Sequence, residues 1–214
     1  MIHAEWCIVI ENQNTMKLPS ILKFIGLTHG IQQVRRTILV NGEERNENDV
    51  EHQYQLAMLA WYIIDTEHIL LDRGLAMQYA LVHDIVEVYA GDTYFLNPDI
   101  EDKVRREAAA AEQLKSEFPE FTDLHILIDG YERRKDPESR FIYALDKLLP
   151  VLNIYLDQGR TWKSYGVTED MLLGNKREKI AASPEVNIYF EELIVRLREE
   201  EPDLFFQSTH TIPS

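Results

Sequence analysis

The sequence predicts an all-α fold. Three observations carry that reading. Few stretches alternate apolar and polar residues with period two. Several segments instead repeat apolar residues three and four positions apart, as one face of a helix requires. Helix punctuation, with Pro near a start and Gly just past an end, brackets those segments.

Taken in order, Pro19 to His29 reads as a first helix, stopped by Gly30. Asn41-Gly42 opens a polar loop that runs to Asp49. Val50 to Leu71 is helical, with Leu56, Leu59, Ala60 and Ile63 on one face. Gly74 to Tyr89 forms the next helix, with Gly91 as its stop, and Asn97-Pro98-Asp99 opens another through Lys115. Phe121 to Arg133 is a shorter helix. Pro137 to Leu156 is strongly amphipathic and closed by Gln158-Gly159, and Pro184 to Glu200 is the last helix. Residues 17–160 read as the core, 161–214 as an appended C-terminal helical extension, and 1–16 as an N-terminal arm.

The chain has 214 residues, 45% of them apolar, enough for one domain with a sizeable core. Its net charge of −15 opposes binding to a nucleic-acid polymer or an anionic membrane, but not to a small anion held by one or two local cations. The lone cysteine, Cys7, excludes an intrachain disulfide and fits a reducing, cytoplasmic setting. Its apolar run, Trp6 to Ile10, is too short to span a membrane, and no targeting signal is expected.

His83-Asp84 is the most informative pair. It lies in a stretch that is otherwise apolar on most sides, where two adjacent polar side chains need a shared polar target. His52 begins the face that continues through Leu56, Leu59 and Ile63. Asp146 shares a face with Ile142, Leu149 and Pro150. Singly, each reads as an ordinary core or surface residue. Jointly, two His and two Asp on apolar faces predict one divalent metal, such as Co, Mn, Zn, Ni or Fe, with positions left for water and substrate. His125, alone between the doublet and Asp146, is too little for a second metal.

Glu87, four residues after His83, and Asp92, just beyond Gly91, are candidates for moving the protons of a hydrolysis. Arg35-Arg36 offers a guanidinium fork for a phosphate, with a solvated pair as an equal reading, and Lys147 is a second cation for which the solvated reading is the stronger.

These residues resemble the HD-domain metal-dependent phosphohydrolases, and more closely the 5′-deoxynucleotidase branch and its HD-domain-containing relatives. The likeness runs through Val34 to Thr37, Asp49 to Gln53, Ala80 to Asp92 and Ala144 to Leu148. It implies an HD-domain helical bundle with His52, His83, Asp84 and Asp146 as metal ligands. It further implies Glu87 as acid/base, Asp92 as its partner in orienting water, and Arg36 on the phosphate. The implied reaction removes a 5′-phosphate from a nucleoside monophosphate, in a homodimer. Ile38-Leu39 stands where the family has Gly-Trp, so an aromatic wall is missing at Leu39 and looser discrimination among nucleotides is expected. Other readings are hydrolysis of a sugar phosphate or pyrophosphorylated nucleotide, a non-catalytic nucleotide-binding module, and an all-α interaction protein.

Overall fold

Capping and apolar spacing set most boundaries in a computed structural model of the chain, which describes residues 17–92, 100–199 and 202–205. The N-terminal arm with Cys7, and the helix start at Asn97, lie outside the described residues. The elements run α1 (Lys17–Ile31), β1 (Arg35–Leu39), β2 (Asn46–Asn48), α2 (Asp49–Thr66), α3 (Arg73–Val82) and α4 (Glu87–Ala90). They continue with α5 (Ile100–Glu117), α6 (Thr122–Arg133), α7 (Pro137–Leu156), α8 (Arg160–Ser164), α9 (Glu169–Ile180) and α10 (Pro184–Glu199). The fold is all-α apart from one small antiparallel hairpin, β1–β2.

The core is built around α7. Asp136 caps its start by accepting from the Ser139 N–H at 2.7 Å, and Pro137 occupies the first turn, where a missing N–H costs nothing. The buried residues of α7, Phe141, Ile142, Leu145, Leu148, Leu149 and Val151 among them, cover several sides of the helix. That breadth suits a central position, and α7 packs against α2, α3, α6, α9 and α10. Asn48 starts α2 with a reciprocal capping box. Its side chain accepts from the Glu51 N–H at 3.1 Å, and the Glu51 carboxylate accepts from the Asn48 N–H at 3.0 Å.

The structure departs from the sequence reading in three places, each of which shapes the site. The segment read as polar loop holds β2, which pairs with β1. The strand sends Arg35 to solvent and Ile38 to the core, with Arg36 half-buried. The predicted helix from Gly74 to Tyr89 is broken at the doublet. α3 ends at Val82, tight i→i+3 bonds such as Glu87 N–H to Asp84 O at 2.9 Å carry the chain through the break, and α4 begins at Glu87. Gly91, at φ 73°, ends α4 in a conformation that side-chain-bearing residues rarely adopt. The third departure is α8 and α9, two separate helices at the start of the expected helical extension, for which the sequence reading gave no bounds.

Candidate active site

The four predicted ligands arrive from three places. His52 sits in the first turn of the capped α2, His83 and Asp84 in the break between α3 and α4, and Asp146 in the middle of α7. The break explains why neighbouring side chains share a target, since the tightened backbone brings both round to one side. Each of the four offers a ligand atom, and these atoms lie within 4.8 Å of one another. His52 is fully buried, and His83 and Asp146 nearly so.

Both imidazoles are oriented by their surroundings. His83 Nδ1 lies 3.0 Å from the Ala80 carbonyl and donates to it, which turns Nε2 toward the cluster. Nε2 lies 2.9 Å from Asp84 Oδ2 and 3.6 Å from Asp146 Oδ1, a place for one positive charge, a proton or a metal ion. His52 Nε2 lies 3.0 Å from Asp146 Oδ1. On its other side Nδ1, which makes no hydrogen bond, faces Glu47 Oε2 at 3.8 Å, the oxygen that also lies 3.6 Å from Arg36 Nε. Two imidazole nitrogens and two carboxylates, with a further carboxylate behind one ring, form a donor set that fits a divalent cation.

Electrostatics state the same demand. Burial opposes a charge on His83, yet Asp84 and Asp146 lift it to about 10, so these two carboxylates call for a positive charge at Nε2 that either a proton or a metal ion supplies. Burial also opposes ionisation of Asp146, but Lys147 and both imidazoles hold its carboxyl well below the ordinary range. Burial, with Arg36 adding to it, pushes His52 down to about 4, so this ring is neutral as a ligand must be.

The other predicted residues surround this cluster. Arg36 Nη1 donates to Asp84 Oδ2 at 2.7 Å and to Asp49 Oδ1 at 3.2 Å. Lys147 Nζ donates to Asp146 Oδ2 at 2.5 Å. Glu87 is buried at the start of α4, with Oε2 unpartnered, and its carboxyl lies within 4.8 Å of those of Asp84 and Asp49. Burial first, and then Asp84, Asp49 and Asp92, push Glu87 well above the ordinary carboxylate range. Arg36, Asp84, Glu87, Asp92, Asp146 and Lys147 all line one cavity of about 460 Å³, with His83 at its wall. Leu39 does not line it; Ile38 does. The Leu39 N–H instead donates to Thr161 Oγ1 at 3.1 Å.

Sequence reasoning missed several residues here. Glu47 and Asp49, placed in a polar loop, are buried and hold Arg36 and face His52. Their signal was the acid-rich run before His52, which reads as solvated unless the hairpin is known. Tyr131 of α6 stacks edge-on against His83, ring centroids 5.7 Å apart. Asn175, Lys176 and Lys179 of α9 form a further wall. The signal for Lys176 was a lysine standing between Leu172 and Ile180 at helical spacing.

With this geometry in view, the comparisons are specific. The HD domain family profile matches residues 31–187, a span that includes α9. The 5′-deoxynucleotidase HDDC2 of Xenopus laevis is 31% identical over 137 residues, covering 62% of this chain and 67% of that protein. Its namesake from Danio rerio is 27% identical over 142 residues, covering 64% and 70%. A crystal structure of a predicted metal-dependent phosphohydrolase from Magnetospirillum magnetotacticum superposes with a TM-score of 0.74 at 30% identity, covering 84% of this chain and 92% of that one. The family match over most of the chain, together with a clustered His and Asp set of the kind a metal needs, makes this protein a member of the HD domain family and a metal-dependent phosphohydrolase.

Proposed function

We propose that the protein is a phosphomonoesterase acting on nucleoside or deoxynucleoside 5′-monophosphates. The observation that carries this is one cavity lined by His83, Asp84, Asp146, Glu87 and Arg36, with the fully buried His52 behind it, its ligand atom within 4.8 Å of those of His83, Asp84 and Asp146. The 5′-deoxynucleotidase names of its relatives support the nucleotide. The cavity is of a size for one small substrate.

In this reading the four residues hold one divalent ion, Co, Mn, Zn, Ni or Fe. The bound ion would lower the pKa of water and polarise the phosphoryl oxygens. The chain's own residues do the rest. Arg36, pinned by Asp49 and Asp84, presents a preorganised guanidinium to the phosphate. Lys147 adds a second positive charge from α7. Glu87, whose carboxyl is pushed up by burial and its acidic neighbours, is suited to give a proton to the leaving 5′-oxygen. Asp92 lies on the same wall, where it orients the attacking water and sets the charge that Glu87 feels.

Solvent-exposed apolar side chains along α2 supply a face for the homodimer that the resemblance implies. The net charge of −15 supports a small substrate over a nucleic-acid polymer. Among the described residues no helix is long and apolar enough to cross a membrane, and the single cysteine fits the cytoplasm.

The test is phosphate release after chelation, with each of the five metals restored in turn. Deoxynucleoside monophosphates, ribonucleotides and sugar phosphates are the substrates to compare. Turnover of the nucleotides with one metal is the expected result. Faster turnover of sugar phosphates would transfer the site to another small phosphate, and no release from any compound would leave a binding module.

A further inference from the structure

Helix α9 turns one face to the core, and its buried positions are Leu172, Lys176 and Ile180, spaced four residues apart. That spacing is one stripe of a helix, and it packs on α7. Two of the three positions hold the apolar residues such a stripe requires. The middle one holds an ammonium group, 8% exposed, where a leucine would pack at far lower desolvation cost.

The position becomes intelligible from what it faces. Lys176 lines the same cavity as Arg36, Asp146 and Lys147. Several elements therefore bring cations to one space: Arg36 from β1, Lys147 from α7 and Lys176 from α9, with Lys103 of α5, Arg134 just after α6 and Lys179 of α9 also on its wall. Arg36 and Lys147 also contact carboxylates of the metal cluster, Asp84 and Asp146. A phosphate carrying two charges is held best by several cations on one wall. Burial first, and then repulsion from Lys147, push Lys176 down to about 7. Like charges held together on a desolvated wall are unfavourable by themselves, and a bound anion relieves them.

We propose that Lys176 is a substrate-binding residue, closing with Arg36 and Lys147 a cationic cradle around the phosphate that is cleaved, so that α9 is part of the active site. The proposal rests on the phosphomonoesterase reading of this site but not on the nucleotide preference. Asn175, beside it on the wall, accepts from Lys179 Nζ at 3.2 Å, which ties the outer lysine back to α9.

Inorganic phosphate is the probe, titrated calorimetrically into the full chain with Mn²⁺ present. Lys176→Met should weaken phosphate binding by about 10- to 100-fold, as expected for one lost charge-assisted hydrogen bond. Mn²⁺ stoichiometry should not change, the melting temperature should not fall, and KM should rise more than kcat falls. Lys176→Arg should recover part of the affinity, which a purely structural lysine would not predict. A second measurement uses the unaltered chain. Saturating phosphate should protect Lys176 from acetic anhydride, read by mass spectrometry, while the exposed Lys163 stays reactive. Equal phosphate affinity in folded Lys176→Met, or labelling of Lys176 indifferent to phosphate, overturns the proposal. No phosphate binding by the unaltered chain overturns it together with the phosphomonoesterase reading. Phosphate binding that needs Lys176, without turnover of any nucleotide, upholds it and removes only the nucleotide preference.

Discussion

Glu87 shows how position sets the chemistry of a side chain. It is a carboxyl four residues beyond His83, yet the break at the doublet turns it inward beside Asp84 and Asp49. Outside the proposed ligand set but within reach of it, Glu87 can be removed without emptying the site. Glu87→Ala should lower kcat by about 10²- to 10⁴-fold while metal content stays near one per chain. Near-normal kcat would give the proton to another residue. Lys176 carries a pH signature of its own. Folded, it titrates at about 7; unfolded, it titrates near the ordinary lysine value of about 10.4. Between those values the unfolded chain binds more protons, so this group adds stability as pH rises through that window. Lys176→Met lacks that slope. The variant should therefore be more stable than the parent by about 1–4 kcal/mol below pH 7, an advantage that fades toward pH 10. Urea unfolding at pH 6 and pH 9 measures it, and a difference that does not change with pH would contradict the buried ammonium.

Elements deliver these side chains, and caps place the elements. Asn48 ends β2 and caps α2, so one residue joins the hairpin that carries Arg36 to the helix that carries His52. Asn48→Ala should cost about 0.5–2 kcal/mol in unfolding free energy. Because His52 lies in the first turn, divalent metal affinity should fall with it; a cap loss that left metal affinity untouched would mean His52 is held by α7 alone. Helices with strong punctuation were legible. The predicted and observed limits of α7 agree, Pro137 to Leu156, since Asp136, Pro137 and a broad apolar surface all act in one direction. The hairpin was not, because β2 is three polar residues, Asn46 to Asn48, of which Glu47 and Asn48 are buried by what lies over them. Nor was α9, whose short run from Glu169 mixes Gly174 and charged residues with a single narrow buried stripe.

At the scale of the whole molecule, metal and assembly are the levers. A ligand that binds only the folded chain stabilises it by mass action, by about 2.7 kcal/mol at a hundredfold excess over Kd. Chelation should lower the melting temperature, and restoring one divalent metal should recover it. A melting temperature indifferent to chelator and to all five metals would remove the metal site. Val50, Tyr54, Met58 and Trp61 form an exposed apolar stripe along α2, with Tyr62 beside it. If this is the homodimer face, Trp61→Asp should yield monomers by light scattering while the unaltered chain runs as a dimer. A monomeric parent chain at micromolar concentration would refute the dimer.

Local physics determined the fold class and the nature of the site. Helix spacing, caps, and polar residues standing on apolar faces are written along the chain. They pointed to His52, His83, Asp84 and Asp146, since a buried imidazole or carboxylate needs a partner wherever it occurs. What the tertiary structure alone decided is which groups share a space. Glu47 and Asp49 read as solvated until the hairpin buries them, and Leu39 reads as pocket wall until β1 places Ile38 there. Lys176 reads as a surface lysine until α9 packs on α7. Burial and charge pairing are properties of neighbours far apart in sequence, so only the packed chain can set them.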